Sequence, residues 1–239
     1  LAQDSRTSVS IYARHANADS SGFPDSSGGP ELAVIRDKAS RESADNALSV
    51  AVTSRLSPTT DLHFAATAYD HREQVTSPGV APGIGPGIPA NRSDNDFSRV
   101  ALNVFVRSEL TSRIDAAFGL GYQDETGDST GQIAFSPDFV LPTGYSLSRD
   151  DMSAYAELAF GADSGFDLVA GVRTDETNAA GRQTTGKLTV GHSFASDRIR
   201  VRLGWGNAFK LPSLFALADP LVAHPGAADA AWRRTAAAH

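Results

Sequence analysis

Cysteine is absent from the 239 residues, so disulfides, thiolate nucleophiles and cysteine-ligated metals are excluded from the start. No run of about 18 consecutive apolar residues occurs, which excludes a helical membrane span. Basic residues are outnumbered, 21 against 28 acidic, and the net charge of -7 argues against an extensive nucleic-acid surface. Tyrosine and tryptophan are scarce, five and two, fewer than complete aromatic girdles would use. The six histidines are scattered, no HExxH pair exists, and no GxSxG elbow accompanies the serines. No catalytic residue, metal ligand or cofactor-binding residue is therefore expected. The chain opens at Leu1 with no basic n-region or apolar h-region, so no signal peptide is visible.

What is present is a rhythm. Alternating apolar and polar residues recur in strand-length segments from Arg6 to Phe209. The clearest is Phe97 to Leu110. There Val100, Leu102, Val104 and Val106 share one face, and Arg99, Asn103 and Arg107 share the other. The same period marks Arg6–Ala16, Ala47–Leu56, Asp61–His71, Arg113–Gln123, Asp151–Phe160, Phe166–Arg173, Lys187–Phe194 and Arg198–Asn207. These nine segments are each close to the roughly 9–11 residues that a tilted membrane strand needs. A mean hydropathy of -0.23 does not oppose a membrane location, since only one face of such a strand meets lipid.

The connections sort into two sets. Ser57–Thr60, Thr111–Ser112, Gly161–Gly165 and Ala195–Asp197 are short and turn-like, whereas those between strands one and two, three and four, five and six, and seven and eight are long and polar. Short turns at one end and long loops at the other characterise outer-membrane β-barrels. The expected fold is all-β: an antiparallel transmembrane barrel segment. Phe64, Phe160, Phe166 and Phe194 by the short turns, with Phe97, Tyr122 and Trp205 toward the long loops, are expected to form two interface belts. The small residues of strand five and the three arginines of strand nine imply an inner face that meets water or a separate plug.

Gly204-Trp205-Gly206-Asn207-Ala208-Phe209-Lys210-Leu211-Pro212-Ser213, followed by an apolar stretch to Pro220, closes the ninth segment. It resembles the stretch of TonB-dependent outer-membrane receptors in which a strand ends in an aromatic followed by Lys-x-Pro-Ser. Gly204, Gly206, Phe209, Lys210, Pro212 and Ser213 carry the resemblance, and we read them as structural; ligand-contacting residues are not picked out. The resemblance implies about nine strands of a larger, 22-stranded barrel that imports a chelated nutrient such as a ferric siderophore or cobalamin. Its implied partners are outer-membrane lipid, the small ligand, and the TonB complex acting through a plug not present in this chain. The implied location is the outer membrane of a Gram-negative bacterium. The alternative is a passive porin-like channel or a small barrel adhesin.

Ala223-His224-Pro225 stands where the family has Gly-Asn-Pro, and an Ala-rich run follows to His239. We therefore expect residues 1–222 to be partial barrel and 223–239 an atypical tail. On this reading the chain is an incomplete piece, with strands missing downstream and the plug missing upstream, unable to transport alone. The acidic stretch Asp124–Asp128 lacks EF-hand spacing and reads as a solvated loop, and Pro78–Pro89 reads as a surface loop.

Overall fold

The structure, a computed structural model, describes residues 6–24, 34–82, 87–178, 180–194, 199–211 and 214. It contains nine strands: β1 (Thr7–Gly22), β2 (Ala39–Ser57), β3 (Thr60–Ser77), β4 (Ala90–Thr111), β5 (Ile114–Ser136), β6 (Phe139–Gly161), β7 (Phe166–Thr177), β8 (Gly181–Phe194) and β9 (Ile199–Gly206). They form one sheet in chain order, every neighbouring pair antiparallel. β1 and β9 each pair on one side only.

The register explains why these residues form this sheet. One cross-strand row runs Val9–Val52–Phe64–Val104–Leu120–Ala154. Another runs Ala116–Leu158–Ala170–Leu188–Trp205. A one-residue slip at any pairing would turn a strand's apolar set to the opposite face, so the alternation fixes the register throughout. All nine apolar sets lie on one side of the sheet.

That side is the exposed one. Phe118 is 58 % exposed, Trp205 68 % and Leu203 76 %, while Glu125 and Asp175 are 6 % and 2 % exposed. In water, an apolar face of nine strands would far exceed the few hundred Å² a soluble monomer shows. Facing lipid it has a solvent to match, and strand pairing satisfies the backbone internally. The band is about nine residues tall on β5 and β6, Ile114–Tyr122 and Met152–Phe160, roughly the 25 Å apolar height of an outer-membrane barrel at ordinary tilt. Beyond it the same face turns polar at His15, Asn46, Asp70, Ser98, Asp124 and Asp150.

Three sequence expectations are corrected here. All the strands but β9 are longer than nine to eleven residues: β5 and β6 have 23 each. What reads as a long loop between them is continued ladder, closed at Pro137-Asp138. Above the band both faces meet water, so the apolar alternation vanishes while pairing persists. The acidic stretch Asp124–Asp128 accordingly lies within β5, with Asp124, Thr126 and Asp128 on one face and Glu125 and Gly127 on the other. Phe97 belongs to no interface belt. It lies on the inner face, tilted against Tyr69 at 6.1 Å between centroids. Within Pro78–Pro89, of which 83–86 lie outside the described residues, Val80 and Ile88 exchange backbone hydrogen bonds of 2.8 and 2.9 Å.

Candidate functional site on the inner face

The inner face is a stack of polar rows. At the short-turn end, oppositely charged residues alternate across strands. Arg55 lies 3.5 Å from Asp61, and Arg107 lies 3.7 Å from Asp115. The arginines of β9 share one carboxylate: Arg200 reaches Asp167 at 2.7 Å and Arg202 at 3.8 Å. Gly191 makes room for it, since a Cβ there would fall 2.4 Å from Asp167 Oδ1. Arg198 lies outside the described residues.

The middle of the face is less open than its small residues imply. The Tyr155 ring lies over Gly119, where a Cβ would be 2.2 Å from Tyr155 Cζ. Glycine inside a strand here marks a close approach, not an empty lumen. His63 stacks on Phe105 at 4.3 Å and meets Thr53 Oγ1 at 3.2 Å. A depression of about 400 Å³ lies beside this level, lined by Asn103, Tyr155, Glu157, Arg173 and Lys187 among others.

At the upper edge of the band one row crosses six strands: Arg14–Ala47–Tyr69–Arg99–Glu125–Arg149. Glu125 turns to Arg149, which donates to it, and both are buried. Burying such a pair removes two charges from water, and their mutual hydrogen bond offsets that cost. Next to it, Arg173 donates to Asp175 Oδ1 at 2.8 Å. One level higher, Tyr69 donates to Asp45 Oδ1 at 2.5 Å and His71 Nδ1 lies 2.9 Å from the same oxygen. Those hydrogen bonds, Tyr69's first, hold the Asp45 carboxyl below its usual range.

Arg14 and Arg99 differ from their neighbours. Among the described strand residues every other arginine and lysine has a carboxylate within 4 Å, and these two have none. The sequence alone put both on the polar face but gave no reason to separate them from the other cations. Only the register reveals which acids are already engaged. No group of three or more His, Asp or Glu side chains suited to a metal ion occurs among the described residues.

Of the residues that carry the family resemblance, Gly204 and Gly206 lie on the inner face of β9, opposite Thr189 and Lys187. Asn207 then closes the β8–β9 ladder. Its Oδ1 accepts from Gly186 N at 2.7 Å, and its own N donates to Gly186 O at 3.1 Å. Phe209 and Lys210 are exposed. Pro212 and Ser213 lie outside the described residues, as does the tail 223–239. Leu214, beyond them, is buried against Gly127 and Tyr145 on the inner face of β5 and β6.

The family model described as TonB dependent receptor-like, beta-barrel, matches residues 2–232. No curated protein matches the chain. Among solved structures, the ferric yersiniabactin uptake receptor FyuA of Yersinia pestis is similar at a TM-score of 0.64 and 13 % identity, covering 84 % of this chain and 34 % of that one. The outer membrane transporter YddB of Escherichia coli gives 0.59 and 9 %, covering 86 % and 30 %. The RagAB peptide transporter gives 0.57 and 12 %, covering 83 % and 31 %. The chain thus spans about a third of the length of the structures it matches.

Proposed function

The chain belongs to the TonB-dependent receptor-like β-barrel family, and from that premise we propose that it is part of the wall of an outer-membrane receptor importing a small chelated nutrient. The single observation that carries this reading is the inversion of the two faces: apolar side chains exposed over a membrane-high band, and charged, hydrogen-bonded side chains on the inner face. An inner wall of that kind passes or binds a polar solute. A ferric siderophore or a cobalamin is the class we assign. Uptake is driven by the TonB complex acting on a plug inside the barrel, in the outer membrane of a Gram-negative cell. The wall comprises residues 1–222, with 223–239 a separate tail, and Gly204, Gly206, Phe209, Lys210, Pro212 and Ser213 shape the exit from β9. The chain has no enzymatic role in this scheme.

The test is growth. The intact receptor carrying this segment is expressed in iron-starved Gram-negative cells supplied with one chelate at a time. Rescue that requires a working TonB complex is expected. Rescue that persists without it, together with ion conduction in a planar bilayer, would make the protein a passive channel and defeat the proposal.

A further inference from the structure

We propose that the upper half of β6 is an open sheet edge at which an extended segment of a separate polypeptide adds as a strand. The edge itself is read from the ladder, and its position outside the cell rests on the receptor reading above.

β5 pairs with β6 along nearly its whole length. β7 pairs with it only from Asp151 to Gly161, because β7 ends at Thr177. The wall therefore steps down beside β6, and the step from Asp150 up to Phe139 is about 36 Å of strand. Asn178 finishes the shorter ladder: its N donates to Asp150 O at 3.3 Å, and its Oδ1 accepts from Asp150 N at 3.3 Å. Backbone groups point to the two edges of a strand alternately, so those of every second residue above Asp150 point over the step. These residues are Ser148, Ser146, Gly144, Pro142 and Val140, and no strand among the described residues faces them on that side. Pro142 agrees with this direction. Within a strand a proline is tolerated where its nitrogen meets an open edge.

The edge carries no charge from Phe139 to Ser148, whereas open edges are commonly blunted with charged side chains. Val140, Pro142, Ser146 and Ser148 are exposed along it. Neighbouring chain does not fill it. Further barrel strands join at β1 and β9, the two ends of the sheet, and not at its middle. The chain after β7 turns straight back into β8 at Gly181, and the chain after β9 passes to Leu214 on the inner face. An added strand continues the line of β7 upward. It has to be extended to match the ladder, and its alternate side chains select it. Those pointing inward lie beside Leu141, Tyr145 and Leu147, and those pointing outward lie beside Ser146 and Ser148. The partner segment is therefore uncharged, apolar at alternate residues and small or polar between them.

The test uses the intact receptor in detergent. Amide hydrogen exchange, read residue by residue, should be fast at Ser146 and Ser148 and slow at Tyr145 and Leu147. A displayed library of ten-residue peptides is then panned on the receptor, and the enriched peptides are synthesised. They are expected to show the alternation above, to slow exchange at Ser146 and Ser148, and to lose binding when N-methylated throughout. Ser146→Pro and Ser148→Pro each remove one donor from the open edge without touching the β5 ladder, and each should weaken binding about tenfold. TonB-dependent growth should be unchanged in both variants. Slow exchange at Ser146 and Ser148 in the free receptor would mean that its own chain fills the edge, and overturns the inference. Peptides that bind the proline variants as well as the original, or a library that yields no binder, overturn it too. So does a receptor dimer that the proline variants abolish, since the occupant is then a second copy. Growth rescue that needs no TonB complex counts against the receptor reading and leaves the edge standing.

Discussion

At the scale of single residues, the inner wall is built by pairing an absence with a presence. Gly119 has no side chain because Tyr155 lies where its Cβ would be, 2.2 Å from Cζ. Gly119→Val therefore has to expel the Tyr155 ring. Overpacking of this kind costs about 1–3 kcal/mol, and the urea midpoint of the intact receptor in detergent should fall accordingly. Adding Tyr155→Ala should recover part of the loss, because the clash is with that one ring. The Glu125–Arg149 pair follows a different rule. Both side chains are buried, at 8 % and 9 % exposure, so replacing Arg149 leaves the Glu125 carboxylate buried without its guanidinium. Arg149→Met should cost about 3–5 kcal/mol. Arg149→Met with Glu125→Leu should cost much less, since neither charge then remains. Equal losses in the single and double variants would mean the pair is open to water.

At the scale of elements, the sheet continues well past the apolar band. β5 and β6 run 23 residues each, of which about nine lie within the lipid band, alternate ones facing lipid. A cysteine-free chain makes this easy to test with single cysteines and a membrane-impermeant maleimide. Cysteines at Asp124, Thr126 and Asp128 should label faster than those at Glu125 and Gly127, and those at Phe118 and Leu120 should be shielded by lipid. A flexible loop would label evenly from 124 to 128. This is also where the sequence stopped being readable. Val100 to Val106 announces its strand because one face meets lipid and the other does not. Asp124 to Gln132 is polar or glycine on both faces, so its period is invisible even though the ladder continues. Phe97 is a related case: it has the parity of Arg99, and parity is a better guide to its direction than aromatic character. The inner ion pairs were hidden for another reason, because Arg200 and Asp167, or Arg149 and Glu125, meet only once the register is known.

At the scale of the whole molecule, the segment after β9 ties distant strands together. Asn207 closes the ladder with β8, yet Leu214, seven positions later, is buried on β5 and β6. That contact ties the β9 end of the sheet to its middle. Leu214 sits in the gap left by Gly127, with its Cβ 3.7 Å from where a Cβ on Gly127 would be. That separation matches the roughly 3.8 Å typical of disulfide-linked Cβ atoms. The double variant Gly127→Cys/Leu214→Cys, in a chain with no other cysteine, should cross-link on mild oxidation and migrate faster without reductant. Gly119→Cys/Leu214→Cys is the control. It places the first thiol eight residues down β5, about 26 Å away, and should not cross-link. The bond would form if the brace is a fixed part of the wall, and the cross-linked receptor should then keep its TonB-dependent uptake. Cross-linking that abolishes uptake would show instead that the contact between Leu214 and Gly127 has to part during transport.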